Sequence, residues 1–160
     1  MRTIEGSQSA AGFRFAIVVS KYNDFVTERL QTGALAALAA AGVSSADITV
    51  VRVPGAFEIP IAAQHAARSG RYDAVVCLGC LIRGATPHFE YIASAVSNGL
   101  TAAAGATGVP MAFGVLTTNS VEEALQRAGD GLSNKGWEAA AAAIEMAAVV
   151  AQLTRASSQA

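Results

Sequence analysis

Short apolar runs alternate along this chain with longer stretches of helical spacing. Residues 13–19 (FRFAIVV) are almost continuously apolar, the pattern of a strand covered on both faces. Residues 24–41 follow, with Val26, Leu30, Ala34, Leu38 and Ala41 at helical spacing and Gly42 as a stop. Residues 48–53 are rich in β-branched side chains and predict a second strand. Residues 57–69 predict a short helix that tolerates Pro60 in its first turn and ends at Gly70. A third strand is expected over 74–82 (AVVCLGCLI), a third helix over 88–106 and a fourth strand over 111–116 (MAFGVL). Ser120 and Glu123 have capping-box spacing, so a helix starts there and runs to about Ala128. Residues 129–133 form a turn, and an alanine-rich helix runs from Asn134 to about Leu153.

Strands and helices in alternation, joined by short links, mean right-handed βαβ units and a parallel sheet. The expected fold class is α/β: a three-layer α/β/α flavodoxin-like sandwich with a four-stranded parallel sheet. One domain is expected over 13–153, with an N-terminal arm at 1–12 and a flexible polar tail at 154–160. Ligands in such folds bind beyond the carboxyl ends of the strands. That rule directs attention to residues 20–24, 54–58, 83–88 and 117–120.

Composition changes this picture in one respect. The 160 residues are 52% apolar and only 14% charged, against a usual charged share of about 25%. Either surface is buried between subunits, or the chain is simply rich in alanine; composition does not separate the two. The net charge of −1 argues against nucleic acid as a partner. No apolar run reaches the ~18 residues of a membrane helix; the densest, 139–153, contains Glu145 and Gln152. The polar, mixed first residues carry no secretory signal, and two cysteines make no disulfide framework, so a cytoplasmic location is the default expectation.

Several motifs fail on chemistry. Cys77 and Cys80 have the spacing of a redox or metal pair, but they lie inside a predicted strand, where residues three apart face opposite ways. Gly79 and Gly84 have phosphate-loop spacing, but Ala85 stands where the lysine would be. There is no Gly-x-Gly-x-x-Gly fingerprint and no Gly-x-Ser-x-Gly nucleophile elbow.

Others survive. Residues 83–90 (RGATPHFE) leave a buried strand and enter a helix, whose free N–H groups and dipole make an anion site. Thr86 there either caps the helix or holds a phosphate. His88 is either a surface histidine or a proton-transfer group. The dipole opposes a positive ring in a first turn, and a neutral imidazole can accept and return protons. Small residues at Gly55 and Ala56 let a ligand approach the backbone, and Glu58 can accept from polyol hydroxyls or merely favour a helix start. Tyr22 offers a face for stacking, while Phe113 reads by default as core. Arg127 suits the end of its helix, but Lys135 opens a helix where a cation is disfavoured, which points to an anionic partner.

Five stretches together resemble the lumazine synthase family: 22–30 (YNDFVTERL), 53–60 (VPGAFEIP), 78–91 (LGCLIRGATPHFEY), 110–118 (PMAFGVLTT) and 127–136 (RAGDGLSNKG). They stand in the family's order and spacing. The resemblance implies a transferase that condenses 5-amino-6-(D-ribitylamino)uracil with 3,4-dihydroxy-2-butanone 4-phosphate. The products are 6,7-dimethyl-8-ribityllumazine, phosphate and water, the penultimate step of riboflavin biosynthesis, with no metal or organic cofactor. By that match, Tyr22 stacks on the pyrimidine, and Asn23, Ala56, Phe57 and Glu58 hold the ring and ribityl chain. Cys80, Leu81 and Ile82 line the pocket, Ala85, Thr86 and Arg127 bind phosphate, and His88 transfers protons. Phe113, Arg127 and Lys135 reach in from a neighbouring subunit.

The sequence departs from the family's pattern at Tyr22, where phenylalanine or tryptophan is commoner, at Cys80, where other small residues are usual, and at Gly131, where many members carry lysine. The resemblance also implies a homo-oligomer of pentamers, and the absence of an insertion in 127–136 favours an icosahedral shell, with riboflavin synthase as a possible enclosed partner. Residues 2–6 are expected to add an edge strand to a neighbour's sheet. Two other readings stay open: a binding or storage module holding a ribityl compound without turnover, and a flavodoxin-like electron carrier, for which residues 20–23 supply no phosphate loop.

Overall fold

The computed structural model describes residues 1–158. Its elements are β1 (Phe15–Ser20), α1 (Asp24–Ala40), β2 (Ile48–Val53), α2 (Ile59–Arg68), β3 (Ala74–Ile82), α3 (His88–Thr107), β4 (Met111–Thr118), α4 (Val121–Arg127) and α5 (Lys135–Ser158). Short 3-10 turns at Ser45–Asp47 and Ala56–Glu58 precede β2 and α2. All strands pair in parallel in the order β2-β1-β3-β4, which is the flavodoxin-like layout.

The apolar runs fill both faces of the sheet. Phe15, Ile17, Val19, Val76, Leu78 and Cys80 pack with α1 and α5 on one side. Ala16, Val18, Val75, Cys77 and Val115 pack with residues of α2 and α3 on the other. Every residue of β1 is buried, as its unbroken hydrophobicity requires. β2 lies at an edge and is only partly covered, so its β-branched residues leave Val50 exposed.

The boundaries differ from the sequence pattern where local bonds decide. β1 starts at Phe15 because Phe13 is held in a turn, its N–H donating to the Ala10 carbonyl. α2 starts at Ile59, since Ala56–Glu58 tightens into a 3-10 turn before Pro60. β4 continues two residues past Leu116, as Thr117 and Thr118 pair with Leu81 and Ile82. α5 runs on through Ser158, across most of the segment expected to be a flexible tail. There the hydroxyls of Thr154, Ser157 and Ser158 bond carbonyls one turn back and keep polar residues compatible with a helix. Residues 159 and 160 of that tail lie outside the described residues.

The arm does not form a strand. It lies along its own α5, where the Gln152 side chain donates to the Glu5 carbonyl (2.7 Å) and Gly6 packs against Glu145. Among the described residues no helix is long and apolar enough to cross a membrane.

Candidate active site

β1 and β3 are neighbours although their connections run to opposite sides, so a crevice opens beyond their carboxyl ends. The loops there are pinned to one another by backbone bonds. Lys21 N–H donates to the Val53 carbonyl (2.8 Å) and Tyr22 N–H to the Pro54 carbonyl (3.1 Å). Asn23 is left-handed (φ 61°), the one non-glycine residue with positive φ among those described. Its amide donates to the Cys80 carbonyl (2.9 Å), which ties the β1 loop to the end of β3. Such strain persists only where surrounding bonds over-determine it, and it collects at functional sites. The result is that Tyr22 projects its ring, 73% exposed, over the crevice.

The crevice is a cleft of about 1120 Å³. It gathers Tyr22, Asn23, Ala56, Phe57, Glu58, Cys80, Leu81, Ile82, Thr86 and His88 from the end of β3 and the segments that follow β1, β2 and β3. Phe57 (64% exposed) and Tyr91 (74% exposed) add aromatic faces. One oxygen of Glu58 is buried there without a hydrogen-bond partner. An unpartnered buried acceptor costs about 1–3 kcal/mol, which a hydroxyl-bearing ligand would offset.

α3 opens the anion side of the cleft. Pro87 is its N-cap, and no side chain caps it. The capping reading of Thr86 therefore fails, and Thr86 lines the cleft together with His88, the first residue of the helix. The nearby Glu90 carboxylate would oppose an anion, but Arg83 pairs with it. Its own backbone N–H and then the Arg83 side chain hold that carboxyl below its ordinary range. Arg83 also donates to Asn119 (3.0 Å) and lies over the Phe89 ring, 4.5 Å from its centre. Ala85 is exposed in the same loop but does not line the cleft.

Phe113, Arg127 and Lys135 lie elsewhere. They line a separate pocket of about 360 Å³ formed by β4, the end of α4 and the start of α5. Phe113 is half exposed rather than core, because β4 is an edge strand that the helices leave partly uncovered. Lys135 pairs with Glu138 (2.8 Å) and Arg127 donates to the Glu123 carbonyl (3.2 Å). Gly131, at φ +85°, has a conformation that suits glycine and would strain a lysine. Sequence reasoning missed Phe25, Tyr91, Ile92 and Val121 in the cleft wall. Each lies in a helix, where an apolar side chain by itself carries no sign of a ligand.

Cys77 and Cys80 face opposite sides of the sheet, as their strand position predicts. Burial pushes the two thiols up to about 12 and about 11 from an ordinary 9.0. A thiol with a higher pKa folded than unfolded contributes stability that is complete below about 9.0 and lost as pH rises towards about 12. Alkaline melts should therefore show a falling Tm through that window, weaker in Cys77→Ala when each melt is referenced to its own neutral value. An identical pH dependence in both proteins would contradict this. Among the described residues no group of His, Cys, Asp and Glu could hold a metal ion.

Comparison with known proteins agrees with this geometry. The family described as 6,7-dimethyl-8-ribityllumazine synthase matches residues 12–151. The 6,7-dimethyl-8-ribityllumazine synthase of Syntrophus aciditrophicus (strain SB) is 54% identical over 149 residues, spanning 93% of this chain and 97% of the relative. That of Desulfatibacillum aliphaticivorans is 50% identical over 145 residues, spanning 91% and 94%. An exposed aromatic face, an unpartnered carboxylate oxygen and a first-turn histidine on one cleft accompany identity of this extent, and the chain belongs to the lumazine synthase family, as an enzyme of riboflavin biosynthesis.

Proposed function

We propose that the cleft between the β1, β2 and β3 loops is where 5-amino-6-(D-ribitylamino)uracil meets 3,4-dihydroxy-2-butanone 4-phosphate, and that a neighbouring subunit completes it. The carrying observation is the convergence of Tyr22, the unpartnered Glu58 oxygen and His88 on one cleft. Tyr22 stacks on the pyrimidine, Glu58 accepts from the ribityl hydroxyls, and Ala56, Phe57, Cys80, Leu81 and Ile82 shape the walls. Asn23 uses its amide donor on Cys80 and keeps its carbonyl oxygen for substrate. Thr86 and the start of α3, with the Ala85 backbone, receive the phosphate.

The chemistry needs an imine, loss of phosphate, tautomerisation, ring closure and loss of water. Each step moves a proton near neutral pH, and His88 relays it. Holding two substrates in register supplies much of the rate, since such positioning is worth up to ~7–11 kcal/mol.

As a family member the chain works as a homo-oligomer on small molecules. The separation of Arg127, Lys135 and Phe113 from the cleft supports a composite site. An exposed apolar rim of Tyr22, Phe57, Ile61 and Tyr91 supports its burial against a second copy. The assembly we favour is the icosahedral shell of pentamers, in which the arm leaves α5 to extend a neighbour's β2 edge and riboflavin synthase can be enclosed; the setting is cytoplasmic. Small-angle scattering should give a hollow particle, and a compact particle of pentamer size would overturn the shell.

Mixing the purified protein with both substrates should make lumazine fluorescence and free phosphate rise together, faster than the uncatalysed condensation. Binding of the ribityl compound without acceleration would favour the storage-module reading instead.

A further inference from the structure

Asn134 touches neither pocket chemistry directly, yet it is 4% exposed and every polar valence of its amide is used. Its oxygen accepts from Gly136 N–H (2.8 Å) and Trp137 N–H (3.2 Å), capping α5. Its nitrogen donates to the carbonyls of Gly129 (2.9 Å) and Arg29 (3.2 Å). The first of these lies two residues after Arg127; the second belongs to α1. The surrounding packing leaves no slack. Gly136 lies against the Leu30 carbonyl and Gly33 against Asn134 itself, so that a methyl at either glycine would collide. A serine or aspartate caps a helix as well as asparagine does. What the amide adds is the two donors, and these reach the Arg127 turn and the helix it rests on.

We propose that Asn134 is a positioning residue for phosphate recognition. It bolts the α4–α5 turn to α1, so that Arg127 is presented at a fixed place to the phosphate of the second substrate. This rests on the reading of Arg127 as a phosphate ligand. Lys135 is held by the cap and by its pair with Glu138 within α5, so it keeps its place when the donors are lost.

The test uses the assembled enzyme carrying Asn134→Ser, which retains an oxygen for the Trp137 N–H but whose single, shorter hydroxyl cannot replace the two amide N–H bonds to Gly129 and Arg29. KM for the butanone phosphate should rise about tenfold, within the ~100-fold that a 1 Å misplacement can cost. The inhibition constant of inorganic phosphate should rise in step. The kcat and the KM for the pyrimidine should stay within about twofold. Asn134→Asp keeps the oxygen that accepts from Gly136 and Trp137, and the shape, but turns its second oxygen on the two carbonyls. It should show the same split more strongly, and it decides the matter if the serine variant does not assemble. Arg127→Ala is measured alongside. If Arg127→Ala leaves the KM for the phosphate substrate unchanged, the reading of Arg127 fails first. If Arg127→Ala raises that KM while folded Asn134 variants keep wild-type values, or lose equally towards both substrates, the positioning role is overturned.

Discussion

Enzyme carrying His88→Ala is expected to lose about 10²- to 10⁴-fold in kcat, the range a positioned general acid–base supplies, while KM for either substrate changes only a few-fold. The reason is geometric. His88 begins α3 and lines the same cleft as Thr86, Tyr22 and Glu58. On the proposed reading, substrate binding is distributed over the aromatic faces and Glu58, so removing one imidazole leaves those contacts in place. Steady-state kinetics with each substrate varied in turn give the split. An unchanged kcat removes His88 from the mechanism; an equal loss in binding recasts it as a substrate contact.

The second large effect is expected at Arg127. A hydrogen bond to a charged group is worth about 1.5–3 kcal/mol, and about 1.4 kcal/mol is tenfold. Arg127→Ala should therefore raise KM for the butanone phosphate by roughly 10- to 100-fold, with little change for the pyrimidine. Arg127→Lys should recover only part of this, because the ammonium restores charge but not the two-pronged fork. With glycine at 131, residues 128–134 hold no second cation to share the load. A KM that does not move in Arg127→Ala would place the phosphate wholly at Thr86 and the α3 N-terminus.

The sheet and its helices were readable from the sequence because burial imposes a period on each element. Residues of β1 and β3 are apolar without a break, and α1 repeats its apolar positions every turn. The ends were less readable, since they depend on partners distant in sequence. β4 is extended by pairing with Leu81 and Ile82, and the β1 loop is shaped by the bond from Asn23 to Cys80. The chemistry-bearing residues of the cleft could be named from loop position and resemblance. Their arrangement could not: the sequence left Thr86 between cap and ligand, and only the uncapped start of α3 removes the first role. Phe113 read as core because strand position does not reveal an edge. That one site draws on both pockets is implied only by the family resemblance; in the fold, Arg127 and Lys135 line a pocket apart from His88.

That division is tested most directly by complementation. His88→Ala and Arg127→Ala chains, differently tagged, are co-expressed and the mixed oligomers carrying both tags are isolated. If each site takes its cleft from one subunit and its arginine from the next, a subunit with intact His88 will often face a neighbour with intact Arg127. Random mixing in a ring of equivalent heterologous contacts then restores roughly a quarter of the sites, and activity should rise well above that of either parent. Mixed oligomers no more active than the two parents would mean that both residues serve one chain's site, and the composite site would be wrong.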